Sequence, residues 1–215
     1  MPPRKSPAPV DRTRSRGRPR LDIDPDAVAD AVAELFAEGG LDKVSIVDAA
    51  EKLNVSRATL YRSVPTKEHL LGILFERSTR EMMDAARTVV SATHDPRDQL
   101  DALLRLHVDA AIRMRGFMPV FFDGGDLPPE VYDRWRTFSS EFEDLWVKSV
   151  AANIGSGDLP PGDPVVAARL LLGACIWVSR WYRADDPYDA QVIADTAINL
   201  LRQGRPAVGP GDVTR

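Results

Sequence analysis

The side chains in this chain best placed to do chemistry are cations and hydroxyls suited to phosphate. Arginine stands at Arg12, Arg14, Arg16, Arg18 and Arg20 within RTRSRGRPRLDIDP. Guanidinium stays charged at any physiological pH and can pair with phosphate oxygens through two N–H groups at once. Farther along, Arg57, Thr59, Tyr61 and Arg62 crowd into the stretch RATLYR. Such groups suit a nucleic-acid backbone and its base edges. Catalytic arrangements are missing by contrast. His69, His94 and His107 are scattered without zinc-like spacing, Cys175 has no partner that would make it a nucleophile, and neither a phosphate loop nor G-x-S-x-G occurs. The expectation is a binding protein rather than an enzyme, with no metal or cofactor, and His107 reads as a satisfied core residue.

Charge is divided unevenly along the 215 residues. Residues 1–20 carry Arg4, Lys5 and the five arginines against Asp11 alone, while the whole chain has a net charge of −4. An acidic body with a basic arm fits one localised phosphate-facing patch better than a general nucleic-acid coat. Hydrophobic residues make up 44% and charged residues 28%, as in ordinary globular proteins. No apolar run is expected to span a membrane, no signal-peptide pattern opens the chain, and a single cysteine excludes an internal disulfide; a cytoplasmic protein is expected.

The elements that must position these residues read as helices throughout. Asp24-Pro25-Asp26 opens the first, with Asp24 as cap and Pro25 at the first helical position, and Gly39-Gly40 stops it. Ser45, with Asp48 three residues on, opens a second. Ser56 caps a short third helix over RATLYR, Asn54 suits the unusual backbone angles of the intervening turn, and Thr66 caps a long fourth helix after Pro65. Further helices open at Asp95-Pro96, Pro128-Pro129, Asp163-Pro164 and about Asp189. No strand pattern is evident, so the fold class is all-α. Four segments are expected: a basic arm over 1–20, a helix-turn-helix domain over 21–66, a ligand-binding and dimerisation domain over 67–203, and a tail over 204–215.

Two short helices across a tight turn, with Ala49 and Ala50 at their crossing and Val55 beneath, make a helix-turn-helix. From about Pro25 to Phe75 the sequence resembles the TetR family of transcriptional regulators, most specifically in TLYRSVPTKEHLL. The resemblance implies that Tyr61 and Lys67 contact phosphate and that Thr59 lies in the major groove. Lys67 would also stand at a helix N-terminus, which attracts anions by itself. The chain departs from the family pattern at Ser63 and Val64, where histidine and phenylalanine are usual, and at Ala58, often glycine. RGRP at Arg16 to Pro19 resembles the core of an AT-hook, which lies in a narrow A·T-rich minor groove. The residues expected to meet a double-stranded operator are therefore Arg16, Arg18, Arg20, Ser45, Arg57, Ala58, Thr59, Tyr61, Arg62, Ser63 and Lys67.

The remaining sequence is rich in aromatics, which can line a cavity between helices. Phe117, Phe121, Trp135, Phe138, Phe142, Trp177, Arg180 and Trp181 are the expected ligand-binding set. In WVSRWYR, Trp177 and Trp181 share a helix face beside Arg180 and Arg183, suited to an apolar body with a charged edge. This segment resembles an actinobacterial TetR subgroup that includes repressors responding to acyl-CoA thioesters, which implies an apolar or acyl-CoA-like effector. A drug or aromatic sensor controlling efflux is the alternative, and an architectural DNA-binding protein without an effector is a third reading. In TetR-like proteins the last two helices form a four-helix dimer interface, which implies a homodimer here through Leu171, Ala174, Val178, Ile193, Ala197 and Leu200.

Overall fold

A computed structural model describes residues 23–118 and 128–203. Among the described residues it contains eight helices and no strand: α1 (Pro25–Lys43), α2 (Ile46–Lys52), α3 (Arg57–Ser63), α4 (Lys67–Ala92), α5 (Pro96–Arg113), α6 (Pro129–Gly155), α7 (Pro164–Trp181) and α8 (Ala190–Gln203). The helix starts follow local chemistry. Asp24, Ser45, Ser56, Thr66, Asp95 and Asp163 each accept hydrogen bonds from free backbone N–H groups of the helix that follows. Proline stands at the first position of α1, α5 and α7, where its missing N–H costs nothing. Gly40, at φ 66°, interrupts α1 and turns its last residues toward α2. Asn54, at φ 52°, makes the tight turn between α2 and α3.

Two hydrophobic cores share one helix. The first joins Val28, Val32, Leu35 and Phe36 of α1 to Ala49, Leu60, Val64 and the start of α4, with Leu70, Leu71 and Leu74 buried in it. The second gathers Met82, Met83 and Ala86 of α4 with Leu100, Leu103 and Leu104 of α5, Phe142, Trp146 and Val150 of α6, and the inner faces of α7 and α8. A boundary between residues 66 and 67 therefore does not separate the two cores, because the first turns of α4 complete the head. At 26 residues α4 is a rod of about 39 Å that runs from one core into the other.

Ion pairs tie α1 to α4 along this rod. Arg80 reaches Asp26 at 2.6 Å and Arg77 bonds Asp30. Gly72 brings α4 and α6 close together, since a Cβ there would meet Val131 Cγ2 at 2.8 Å. At 18 residues and a mean hydropathy of 1.3, α7 is long and apolar enough to cross a membrane, contrary to the expectation that no segment would be. Its apolar residues divide between two faces. Ala168, Cys175 and Val178 are buried against α5 and α6, whereas Val166, Leu170 and Trp177 are 56%, 70% and 64% exposed.

Candidate nucleic-acid interface and ligand cavity

With seven residues, α3 depends on its cap and one buried anchor to hold its orientation. Ser56 Oγ accepts the Thr59 N–H at 3.1 Å and shares a 2.7 Å hydrogen bond with Thr59 Oγ1. Leu60 is fully buried in the head core. That anchor turns the opposite face outward, leaving Arg57, Ala58, Tyr61, Arg62 and Ser63 exposed and Thr59 half-buried. Among the described residues no hydrogen bond or ion pair engages Arg57, Tyr61 or Arg62. A helix so placed, with free cations and a phenol on its outer face, can enter a major groove without first breaking contacts of its own.

Several neighbouring polar groups are already engaged. Ser45 Oγ accepts the Asp48 N–H at 3.1 Å and donates to the Asp48 carboxylate at 2.5 Å, so its hydroxyl works as the cap of α2. Lys67 Nζ donates to the Leu41 carbonyl at 2.6 Å, bracing the end of α1. Ser63 Oγ turns back to the Leu60 carbonyl at 3.3 Å. Lys52 sits 2.8 Å from both Glu34 and Glu38, which hold its pKa up to about 12. Arg16, Arg18 and Arg20 lie outside the described residues.

A cavity of about 140 Å³ opens between α4, α5, α6 and α7. Phe75, Ser78, Thr79 and Met82 face it from α4, at the spacing of a single helix face. His107 contributes from α5, then Met114, Phe117 and Met118 beyond its end; Trp135, Phe138 and Phe142 contribute from α6; Leu172 and Ile176 close it from α7. Phe138 and Phe142 stack at 5.3 Å. An apolar cavity of roughly 150 Å³ accommodates a benzene-sized guest, so the space present fits one ring or a short branched chain. At the wall, Glu143 is held by Arg169 at 2.8 Å, which lowers the carboxyl pKa and keeps that side charged.

The expected ligand set is thus divided. Phe117, Trp135, Phe138 and Phe142 line the cavity, whereas Trp177, Arg180 and Trp181 do not, and Phe121 lies outside the described residues. Trp177 is one residue from Ile176, and that single step of about 100° carries it to the outer face of α7. The expected dimer residues divide as well. Ala174 and Leu200 are exposed; Leu171, Ile193 and Ala197 are half-buried; Val178 is buried in the subunit's own core. Phe75, Ser78, Thr79 and Met82 escaped the sequence reading, although their common helix face was visible in it.

His107 is not the satisfied core residue that was expected. It is 5% exposed, stands edge-on to Phe142 and Trp146 with ring centroids 5.6 Å away in each case, and its Nδ1 has no hydrogen-bond partner. Burial lowers its pKa from 6.5 to about 4. The unfolded chain therefore binds a proton that the folded one refuses between those values. Stability contributed by the neutral ring is complete above about pH 6.5 and is lost as pH falls toward 4, on the order of 3 kcal/mol in all. Urea titrations at pH 7 and 4.5 are expected to show a smaller acid loss for His107→Leu than for the wild type; equal losses would contradict this assignment. Burial also pushes the Cys175 thiol up to about 12, so it stays protonated and inert.

Cavity and head meet at Phe117, which lines the cavity and also belongs to the head core, its ring 5.8 Å from that of Phe36. Comparison with known proteins agrees with this two-part architecture. Residues 28–72 match "Bacterial regulatory proteins, tetR family" and residues 93–205 match "Tetracyclin repressor-like, C-terminal domain". The HTH-type transcriptional repressor KstR2 of Rhodococcus jostii is 23% identical over 93% of this chain and 97% of its own. A TetR/AcrR-family regulator from Thermobifida fusca superposes with a TM-score of 0.74 at 25% identity, covering 85% of this chain and 98% of that one. AibR, solved with isovaleryl coenzyme A and operator DNA, has the same fold, with a TM-score of 0.71 at 20% identity over 83% of this chain and 97% of its own.

Proposed function

The chain belongs to the TetR family of bacterial regulatory proteins, and from that premise we propose that it is a dimeric repressor which a small apolar effector releases from its operator. The α3 helices of two copies would occupy successive major-groove turns, about 34–36 Å apart. The observation that carries this reading is the sharing of α4 and Phe117 between the cavity and the DNA-facing head. A guest that wedges Phe117 or the Phe75–Met82 face of α4 acts on elements built into the head. It shifts the equilibrium only as far as it binds the released state better than the DNA-bound one.

The cavity's size narrows the effector. About 140 Å³ suits the acyl end of a short branched thioester, with the coenzyme A portion left outside. The AibR complex with isovaleryl coenzyme A supports this class. The aromatic lining also suits a one-ring aromatic compound, the alternative reading. Genomic fragments selected by the purified protein, followed by fluorescence anisotropy with each class, separate the two. Isovaleryl-CoA is expected to weaken operator binding at least tenfold, a coupling of about 1.4 kcal/mol; release by one-ring aromatics alone would favour the efflux-type sensor, and release by neither would refute the reading.

The basic arm adds a second point of attachment to the proposed complex, in the minor groove beside the major-groove site. Deleting residues 1–20 is expected to weaken operator binding and flatten its dependence on salt. For every phosphate that the truncated protein no longer neutralises, the slope of log K against log salt falls by about 0.9. Unchanged affinity and slope in the truncated protein would remove the arm from the interface.

A further inference from the structure

The cavity wall is almost entirely apolar, and its few polar groups differ in what each can offer a guest. Ser78 Oγ donates to the Leu74 carbonyl at 2.8 Å, and Thr79 Oγ1 donates to the Phe75 carbonyl at 3.0 Å. Both hydroxyl protons are thus returned to α4 itself. Glu143 accepts two hydrogen bonds from Arg169, at 2.8 and 3.0 Å. Ser139 also lines the wall, half-buried on α6, and His107 differs from all of these in being buried. Its ring forms part of the wall, it is only 5% exposed to solvent, and Nδ1 has no partner.

Nδ1, like Trp146 Nε1 beside it, is enclosed by protein atoms, so a guest in the cavity would meet the imidazole at the part of the ring that lines the wall. Here the surroundings make the ring a fixed feature. Phe142 and Trp146 meet it edge-on at interplanar angles of 73° and 68°, which restrains its plane and direction. We propose that His107 is the polar anchor of the effector site, and that the effector's buried end is a small apolar body bearing one uncharged carbonyl or hydroxyl that hydrogen-bonds to this imidazole. This deepens the effector reading above and rests on the cavity being the effector's site.

The preference for an uncharged group follows from the setting. Neutral imidazole donates from one ring nitrogen and accepts at the other, so it serves a carbonyl in one tautomer and a hydroxyl in the other. A carboxylate would need a counter-charge. The burial that disfavours protonation of His107 disfavours supplying it there, and the charged group among the described wall residues, Glu143, is itself an anion. A thioester carbonyl and a ring ketone both satisfy the requirement, whereas a hydrocarbon offers the imidazole no hydrogen bond.

The test uses full-length protein without DNA and three probes that carry a six-membered ring: cyclohexanone, methylcyclohexane and cyclohexanecarboxylate. Binding is followed by isothermal titration and by the imidazole NMR signals of His107. Cyclohexanone is expected to bind at least tenfold more tightly than methylcyclohexane and to shift the His107 signals. In His107→Leu the two probes should bind equally, with methylcyclohexane undiminished, and His107→Gln, which keeps a donor and an acceptor, should retain part of the preference. Equal binding in the wild type, a preference that survives in His107→Leu, or tightest binding by the carboxylate would each overturn the proposal. Failure of every probe to bind would overturn it together with the cavity's role as effector site. Binding of cyclohexanone with the expected preference but without operator release would support the anchor and count against the regulatory reading alone.

Discussion

Replacing Arg57, Tyr61 and Arg62 together by alanine is expected to lower operator affinity by about a hundredfold or more, at nearly unchanged thermal stability. All three side chains stand on the exposed face of α3 and engage no described residue, so their removal leaves the head core intact. Exposed substitutions of this kind usually stay within about 0.5 kcal/mol of neutral. Each base or phosphate interaction removed costs roughly 1–3 kcal/mol of binding, and in a dimer every such cost is incurred twice. If both arginines of each copy touch phosphate, the salt slope falls by about 3 to 4. The control is Leu60→Ala, on the opposite side of the same short helix and fully buried. It is expected to cost about 2–5 kcal/mol of stability. Anisotropy titrations at two salt concentrations, paired with thermal melts, separate these outcomes. Retained affinity in the triple variant would show that α3 is not the reading helix.

The second large effect is expected at the outer faces of α7 and α8. Val166, Leu170 and Trp177 on α7 and Val192 and Leu200 on α8 are at least half exposed, an apolar stripe that a lone soluble subunit would leave in water. Burying a leucine or tryptophan of this kind is worth about 1.5–3 kcal/mol, and a twofold interface counts each residue twice. Introducing Leu170→Arg with Trp177→Arg places like charges across that interface. Light scattering is expected to move from a dimer to a monomer near 23.7 kDa, with helical circular dichroism preserved because both sites lie outside the subunit core. Operator affinity should fall by roughly a hundredfold or more as the two half-sites cease to be linked. A variant that remains dimeric would place the interface elsewhere.

What could be read from the sequence was local. Caps at Asp24, Ser45, Ser56, Thr66, Asp95 and Asp163 are written in side chains two or three residues from the backbone groups they satisfy. The strained turn at Asn54 and the break at Gly40 were legible for the same reason, because few residues adopt those angles. Rotation of one helix against another was not legible. Trp177 and Trp181 share a face, as their spacing demands, but packing of α7 on α5 and α6 decides that this face looks outward. Val178, expected at a partner, is turned into the core by the same rotation. The unpaired nitrogen of His107 could not be foreseen either, since it depends on what three other helices fail to offer.

Gly72 stands among the leucines that α4 gives to the head, three residues before Phe75, the first residue that α4 gives to the cavity, and there α6 presses on bare backbone. This makes it a fulcrum. Lys67 lies five residues from Gly72 on one unbroken helix, about 7.5 Å, so rocking that shaft by some 10° about this point would swing its N-terminal tip by about 1.3 Å. Against a groove spacing of about 34–36 Å, opposite swings in two copies would add to a misfit of about 2.6 Å. A guest no larger than a single ring could therefore upset a grip spanning a whole turn of duplex, through leverage rather than by touching DNA.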